Sequence, residues 1–296
     1  MARSLRIGST PAERKRFPLH GWLGLALAGL FWFLNWSLEG PRTHLGFFPM
    51  WLGYCLAVDG LVLLRTGTSL LTRSLPRFAG LFAISAPFWW LFEVLNLRTQ
   101  NWIYEGAEVF TPLQYFLLTT LSFSTVLPAV FESAEFFASF DFLKRLGRGP
   151  VIGAHRWTVA AFFAAGWIML ALLIIWPRVF FLFVWVSVYF ILEPVNVWMG
   201  VPSLAAYTRR GDWRPVLALW LGVLMTAFFW EMWNYYSWPK WTYHVPWGNG
   251  VHLFEMPLLG YGGYLPFALE LHAMYQLILR LLGKQDESYL RLDFEA

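Results

Sequence analysis

Charged residues are scarce in this chain: Asp, Glu, Lys and Arg together make up 14% of its 296 residues. Soluble globular domains carry about 25% charged residues, so this deficit excludes an ordinary soluble enzyme. The 58% of hydrophobic residues excludes a disordered or solvating chain. Cysteine occurs once, as Cys55, which excludes a disulfide framework and any zinc or iron–sulfur site built from cysteines.

Several motifs of cofactor chemistry are also missing. The Asp residues are isolated from one another, which argues against the paired acidic motif of magnesium-dependent prenyl transfer. The His residues form no HxxxH box of the kind that membrane di-iron enzymes use, and no glycine-rich nucleotide motif occurs. His252 and Glu255 have the i, i+3 spacing of helical metal ligands, but two ligands are too few for a metal site. The sequence therefore predicts neither a metal nor a cofactor.

Long apolar runs are what the chain has in abundance. A run of about 20 apolar residues is long enough to cross a bilayer as a helix. Eight such runs occur, at residues 20–38, 47–65, 78–97, 112–139, 157–176, 179–200, 215–233 and 251–281. Pro128 and Pro266 lie inside the two longest runs, which we therefore expect to be kinked or broken. The pattern predicts an all-α polytopic membrane bundle of about eight transmembrane helices.

The basic residues predict the orientation of this bundle. With the N-terminus placed in the cytoplasm, 18 of the 22 Lys and Arg residues fall in cytoplasmic segments and 4 in outer loops, as the positive-inside rule requires. Both termini are then cytoplasmic. Topology accounts for the net charge of +4, so no nucleic-acid partner is expected. A basic N-terminal segment without a cleavage site or an organelle signal indicates an uncleaved first helix and favours a bacterial inner membrane.

The two halves of the sequence resemble each other. Short stretches of the first half recur in the second half. The matched positions are 134 residues apart near the start of each half and 138 or 139 residues apart in the later stretches. The matched pairs are residues 91–96 with 229–234, residues 101–104 with 240–243, residues 127–132 with 265–270, Asp59 with Glu193, and Ser69 with Ser203. Each half holds four predicted helices, an even number, so the two copies face the same way as a parallel 4+4 repeat.

This repeat divides the chain into four parts. A basic cytoplasmic segment covers residues 1–19, the two membrane repeats cover residues 20–145 and 146–284, and a cytoplasmic tail covers residues 285–296.

Carboxyl groups inside the apolar runs are the main functional signal. Six of them form three pairs under the repeat: Asp59 with Glu193, Glu93 with Glu231, and Glu132 with Glu270. A charge at bilayer depth costs about 2.5–3.5 kcal/mol. Because no Lys or Arg lies at mid-span, several of these acids are expected to be neutral and hydrogen-bonded. The alternative is that they only join helices through hydrogen bonds.

Aromatic residues accompany these acids. Interfacial belts explain only part of the 19 Trp residues. We predict a cavity that opens toward the outer half and is walled by rings whose π faces stabilise a cation. The residues expected to line it or to orient a ligand are Asn96, Asn234, Trp102, Tyr104, Trp230, Trp241, Tyr243, His252, Glu255, Tyr264, Asp59 and Glu193.

The motifs of the second half resemble a known family. Trp230-Glu231, then Trp241-Thr242-Tyr243, then Gly263-Tyr264-Leu265-Pro266 with Glu270 are similar to the integral-membrane lycopene cyclase domain. In that family a helix ends in Trp-Asp, a Trp-x-Phe follows, and the next helix opens with a Pro-Leu-Glu-Glu motif. Here a single acid, Glu270, stands four residues after Pro266. Phe92-Glu93 and Trp230-Glu231 also resemble the acids that fungal membrane terpenoid cyclases take from two pseudo-repeats.

Three functions are open at this point. The resemblance implies an enzyme of the carotenoid-biosynthesis type that cyclises, isomerises or hydrates an isoprenoid-like lipid by metal-free acid–base chemistry. Glu231 and Glu93 are its expected acids, and Glu270 and Glu132 are their partner carboxyls. A proton-coupled transporter is the first alternative, because parallel repeats and membrane acids fit it too. A lipid- or pigment-binding subunit of a membrane complex is the second. The expected partners are the bilayer and a hydrophobic lipid; the oligomeric state is left open.

Overall fold

The computed structural model describes residues 16–40, 42–153, 155–246, 250–284, 289–292 and 294. These residues are mostly helical. Most of the predicted basic N-terminal segment and of the predicted C-terminal tail therefore lies outside the described residues.

Each of the eight predicted apolar runs contains helix. The helices are α1 (Leu19–Ser37), α2 (Arg42–Thr66), α3 (Leu70–Arg73), α4 (Leu75–Thr99), α5 (Pro112–Phe123), α6 (Val126–Ala138), α7 (Asp141–Lys144), α8 (Arg156–Ile175), α9 (Pro177–Phe180), α10 (Ser187–Trp198), α11 (Leu204–Thr208), α12 (Arg214–Tyr235) and α13 (Tyr264–Leu281). The strands are β1 (Trp102–Glu105), β2 (Lys240–Tyr243), β3 (His252–Leu253) and β4 (Met256–Pro257). Short 3-10 segments cover Ala107–Val109, Phe181–Trp185 and Leu258–Gly263.

Fewer helices than the eight predicted are long and apolar enough to cross a membrane. In the described part of the chain five qualify, or six if Pro177–Trp185 and Ser187–Trp198, which meet at 42°, form one bent span. The five are Leu45–Thr66, Leu75–Thr99, Pro112–Ala138, Arg156–Ile175 and Arg214–Tyr235. Helices α1 and α13 are long enough, but tryptophans and Asn35 lower the mean hydropathy of α1, and Glu270 and Arg280 lower that of α13. Several apolar helices of the chain can thus span a membrane.

The two longest runs, which contain Pro128 and Pro266, do not form single straight helices. Helix α5 ends at Phe123 and α6 begins at Val126, so Pro128 lies in the first turn of α6, where proline is tolerated. In the last run, helix starts only at Tyr264. The preceding residues form the β3–β4 hairpin and a 3-10 segment, because this stretch is rich in glycine and contains Pro257. The helical i, i+3 spacing inferred for His252 and Glu255 is therefore wrong.

Small residues let the central helices approach closely. Helix α1 packs on α2, and α6 packs on both α2 and α12. A Cβ atom added to Gly222 of α12 would lie 2.5 Å from the backbone nitrogen of Ala134 in α6. Backbones at this distance are typical of helix pairs joined through small residues. Glycine is thus required at position 222 for the α6–α12 contact.

Matched acids of the two halves make matched contacts. Asp59 Oδ1 accepts a hydrogen bond from the Leu71 N–H at 2.9 Å, and Glu193 Oε1 accepts one from the Ala205 N–H at 2.7 Å. Each donor lies twelve residues after its acceptor, in the first turn of the short helix α3 or α11. Such N–H groups have no partner within their own helix and carry the positive end of its dipole. Asp59 and Glu193 therefore cap equivalent helices.

We expect Gly222→Ala to destabilise the protein by about 1–3 kcal/mol, because the added methyl group meets the α6 backbone and one helix has to move. The measurement is thermal or denaturant unfolding in mild detergent. Gly80→Ala in α4 is the matched control, since no atom lies within 4 Å of its added Cβ; it should leave the stability unchanged or raise it slightly. Equal stability of the two variants would show that the α6–α12 contact tolerates a wider spacing.

Candidate functional site

A cavity of about 290 Å³ lies between the two halves of the chain, beneath the β1–β2 pair. Its wall is almost wholly apolar and aromatic. The aromatic side chains of the wall are Phe47, Trp89, Trp102, Tyr104, Phe123, Phe181, Trp185, Trp230, Trp241, Tyr243 and Tyr264. They come from both predicted repeats, so the cavity is built jointly by the two halves.

Two asparagines hold the strands that cover this cavity. Asn96, near the end of α4, donates from Nδ2 to the Trp102 carbonyl at 2.8 Å and accepts the Asn101 N–H at 2.8 Å. Asn234, near the end of α12, donates to the Trp241 carbonyl at 2.7 Å and accepts the Trp241 N–H at 2.9 Å. Each amide ties a strand back to the helix that precedes it. Both residues act as positioning groups, and neither contributes to the cavity wall.

The strand register brings equivalent residues opposite each other. Strands β1 and β2 are antiparallel, with Trp102 opposite Tyr243 and Tyr104 opposite Trp241. Because Trp102 matches Trp241 in sequence, and Tyr104 matches Tyr243, the pairing is reciprocal, as across a two-fold axis. Each half thus supplies one tryptophan and one tyrosine to the cover of the cavity.

Glu93 is hydrogen-bonded by three aromatic side chains of its own half. Its Oε1 atom accepts from Trp89 Nε1 at 2.8 Å, from Trp102 Nε1 at 3.1 Å and from the Tyr104 hydroxyl at 2.6 Å. All three donors lie in the cavity wall. Indole N–H groups only donate hydrogen bonds, whereas a phenol hydroxyl both donates and accepts. Tyr104 is therefore the one group among these three that can pass a proton between Glu93 and the cavity.

Glu231 has phenol partners instead. Its Oε1 atom accepts from the hydroxyls of Tyr243 and Tyr264, both at 2.6 Å. The Tyr243 hydroxyl also accepts from Trp241 Nε1 at 3.0 Å. The side chain of Glu231 is fully buried, and its Oε2 atom has no hydrogen-bond partner among the described residues.

Both carboxyl groups thus lie behind the aromatic wall rather than in it. The cavity is lined by Tyr104, Tyr243 and Tyr264 and not by Glu93 or Glu231. Burial, followed by the neighbouring carboxyl group, raises the pKa of Tyr104 and of Tyr243 well above the usual value. These two strand tyrosines therefore keep their protons at any physiological pH and act as hydrogen-bond donors. A proton can travel between either carboxyl and the cavity only through such a hydroxyl.

The remaining predicted acids lie away from the cavity wall. Glu132 in α6 and Glu270 in α13 are fully buried, and their carboxyl oxygens have no hydrogen-bond partner in the part of the chain that the structure describes. Asp59 lies 2.8 Å from His20 Nε2 besides capping α3. None of these side chains, and not that of Glu193, reaches the cavity.

The first two predicted residues of the last apolar run, His252 and Glu255, have surface roles. Glu255 forms an ion pair with Lys240 of β2. His252 is exposed, and its Nδ1 atom lies 2.8 Å from the Gly250 carbonyl. Within the described residues, no group of three or more His, Cys, Asp or Glu side chains could hold a metal.

Sequence reasoning missed several wall residues, among them Asn101 and the aromatic residues Phe47, Trp89, Phe123, Phe181 and Trp185. A signal for three of them exists, because the pattern Phe-x-x-x-Trp at residues 47–51 recurs at residues 181–185, again at an offset of 134. Trp185 stacks on Phe92 and on Trp102, with ring centroids 5.6 and 5.5 Å apart. The equivalent residue of the first half, Trp51, packs on Trp230, with ring centroids 5.4 Å apart; Trp230 is the residue that matches Phe92.

Comparison of the chain with family models, with curated proteins and with solved structures finds no match. The resemblance to the integral-membrane lycopene cyclase domain therefore stays a prediction that depends on the motifs alone.

Replacing Asn234 with leucine should release β2 from α12, because the N–H and the carbonyl of Trp241 lose their partner together. We expect a loss of about 1–3 kcal/mol in stability and faster amide hydrogen exchange over residues 240–243, measured by mass spectrometry. Asn196→Leu is the matched control: it removes another buried asparagine, which donates to the Ala273 carbonyl at 2.9 Å between α10 and α13. Unchanged exchange in the Asn234 variant would mean that β1 alone holds β2.

Proposed function

We propose that this protein is an integral-membrane enzyme that performs metal-free acid–base chemistry on an isoprenoid-like lipid held in the aromatic cavity. Cyclisation, isomerisation and hydration all begin with the same protonation and fit equally. The observation that carries the proposal is the pair of phenol–carboxyl groups, Tyr104 with Glu93 and Tyr243 with Glu231, that face one apolar cavity. In this proposal the chain is a parallel 4+4 repeat of eight spans, with both termini in the cytoplasm of a bacterial cell.

The size of the cavity supports the end of a lipid as ligand. A volume of about 290 Å³ lies near the lower end of the range for small-molecule sites, about 300–1,000 Å³, so the cavity suits one end of a lipid rather than a whole one. Leu182 and Leu259 belong to the wall and are also exposed at the surface, to 53% and 91%. An apolar rim of this kind suits a lipid whose remaining length stays in the bilayer.

Protonation would start from Glu231 in its neutral form. In this neutral form Glu231 donates its carboxyl proton to the oxygen of Tyr243 or Tyr264, which reverses that hydrogen bond, and the hydroxyl passes its own proton to an alkene or epoxide of the lipid. The lipid becomes a cation, the tyrosine is neutral again, and Glu231 is left as a carboxylate. The buried position of Glu231 keeps water from competing for the proton.

Removal of a proton would end on Glu93. A C–H proton of the cation passes to the Tyr104 oxygen while the Tyr104 hydroxyl proton moves to Glu93, and the released electron pair forms the new double bond. Three donors on one oxygen suit a carboxylate. Between the two steps the indole faces of the wall stabilise the positive charge. Two carboxyl groups with different partners thus perform opposite tasks.

The proposal predicts that Glu231→Gln abolishes turnover. The measurement is mass spectrometry of the lipids that co-purify with each variant. Wild-type protein should carry a specific isoprenoid and its altered product, whereas Glu231→Gln should accumulate the unaltered form, with turnover about 10²–10⁴-fold lower. Glu231→Asp should recover part of the activity with a shifted pH profile, which a merely structural role would not produce.

Glu108→Gln is the control, because Glu108 is an exposed carboxyl group outside the cavity wall; this variant should retain activity. If wild-type preparations contain bulk phospholipid as the only lipid, the isoprenoid proposal is refuted. That result would favour a proton-coupled transporter or a subunit of a membrane complex.

The tyrosines should differ in their importance. Tyr104→Phe removes the sole phenol on Glu93 and should lower turnover about 10²–10⁴-fold. Tyr264→Phe should cost less, because Tyr243 still serves Glu231. Tyr261→Phe is the control, since its hydroxyl bonds to the Leu253 carbonyl and not to a carboxyl group. The comparison uses the same product assay; equal activity of the Tyr104 and Tyr261 variants would refute proton transfer through Tyr104.

A further inference from the structure

One polar side chain of the cavity wall has no partner. Asn101 precedes β1 and belongs to the wall, with only 2% of its surface exposed. Neither Nδ2 nor Oδ1 has a hydrogen-bond partner among the described residues. The backbone of Asn101 is fully used, because its N–H binds Asn96 and its carbonyl accepts the His244 N–H at 2.8 Å. A buried amide without partners is unfavourable unless something else binds it.

The hydroxyls of the wall differ from Asn101 in this respect. Thr119 donates to the Tyr115 carbonyl at 2.6 Å, and Ser122 donates to the Leu118 carbonyl at 3.0 Å. Thr43 donates to Asn35 at 2.9 Å and accepts the Trp238 N–H at 2.7 Å. The three wall tyrosines donate to Glu93 and Glu231. Among the described residues the wall thus holds hydroxyls that are already bonded and one amide that is not. Both amide atoms are buried, so a ligand binds them once the Asn101 side chain turns toward the cavity.

The repeat supplies a second reason to single out this position. Asn101 matches Lys240, which also lies in the cavity wall. The ammonium group of Lys240 is neutralised by Glu255. Because β1 and β2 are antiparallel, Asn101 and Lys240 stand at opposite ends of the strand pair. One end of the cavity therefore carries a neutralised ion pair, and the other carries an amide that has no hydrogen-bond partner among the described residues.

We propose that the ligand of this cavity is an oxygenated lipid, whose carbonyl or hydroxyl group binds the side-chain amide of Asn101. An amide offers both a donor and an acceptor, so a neutral group that accepts, or accepts and donates, satisfies it. A pure hydrocarbon leaves both atoms of the amide unpaired. Such a site discriminates strongly between oxygenated and hydrocarbon ligands, because a ligand without the polar group leaves the buried amide unpaired.

This inference rests on the proposed lipid site but not on the acid–base chemistry, and binding alone tests it. The probes are three ten-carbon isoprenoids: geraniol with a hydroxyl, geranial with a carbonyl, and myrcene with neither. Binding to protein in nanodiscs is followed by quenching of tryptophan fluorescence, with empty nanodiscs as the partition reference. In wild-type protein the oxygenated probes should bind about tenfold more tightly than myrcene, as one good hydrogen bond allows.

Asn101→Leu should reduce that ratio to about one, chiefly by weakening geraniol and geranial. Asn101→Ala is the second variant in case leucine is too large for the wall, and unfolding midpoints verify that both are folded. Ser122→Ala is the matched control, because its wall hydroxyl is already bonded; it should keep the wild-type ratio.

The other outcomes overturn the inference in different ways. Equal binding of all three probes to wild-type protein refutes the oxygenated ligand and leaves the lipid site intact. A preference that persists in both Asn101 variants assigns the recognition to another group. Binding of none of the probes refutes the lipid site itself, and with it the proposed function.

Discussion

A carboxyl group enclosed in an apolar bundle needs hydrogen-bond donors from the protein, because water cannot supply them. The structure supplies such donors to four of the six acids, in two ways; Glu132 and Glu270 have no hydrogen-bond partner among the described residues. Near the short helices, Asp59 and Glu193 take backbone N–H groups that helix geometry leaves free. At the cavity, Glu93 and Glu231 take indole and phenol donors. Aromatic side chains add donors without adding charge and still offer apolar surface, which explains why tryptophan and tyrosine gather around the acids.

The cover of the cavity depends on the same donors. Trp102 and Tyr104 reach Glu93 only because β1 is held against α4 by Asn96, and Tyr243 reaches Glu231 because Asn234 holds β2. The strands then pair with each other and join the two halves above the cavity. Two short strands alone would have marginal stability. The asparagines and the carboxyl groups therefore act together, and a change at either one affects the geometry of the wall.

Sequence reasoning predicted a mostly helical chain with several apolar helices that can span a membrane, because these features depend on local signals. Apolar runs of about 20 residues mark the helices, and an acid inside such a run is conspicuous. The β1–β2 pairing could not be predicted, since each strand has four residues and is held by contacts across about 138 positions. The helix placed at His252 and Glu255 was wrong because glycine and proline outweighed hydrophobicity there.

Two other features were not predicted: the number of helices that are apolar enough to span a membrane, and the different local structure of the two Phe-x-x-x-Trp segments. Mean hydropathy alone leaves α1 and α13 below the other helices, although both lie in the predicted runs. Phe181 and Trp185 lie in a 3-10 segment ahead of α10, whereas Phe47 and Trp51 lie within α2. The shared pattern and the offset of 134 mark these residues as equivalent despite this difference, and their ring contacts with Trp230 and Phe92 agree with it.

The two halves differ in the side chains that donate hydrogen bonds to Glu93 and to Glu231. Trp89, which donates to Glu93, matches Ala227 in the second half. Tyr264, which donates to Glu231, matches Val126 in the first half. Two indoles and one phenol therefore bind Glu93, whereas two phenols bind Glu231. In the proposed mechanism one carboxyl group gives a proton and the other takes one, and this difference in donors favours that division.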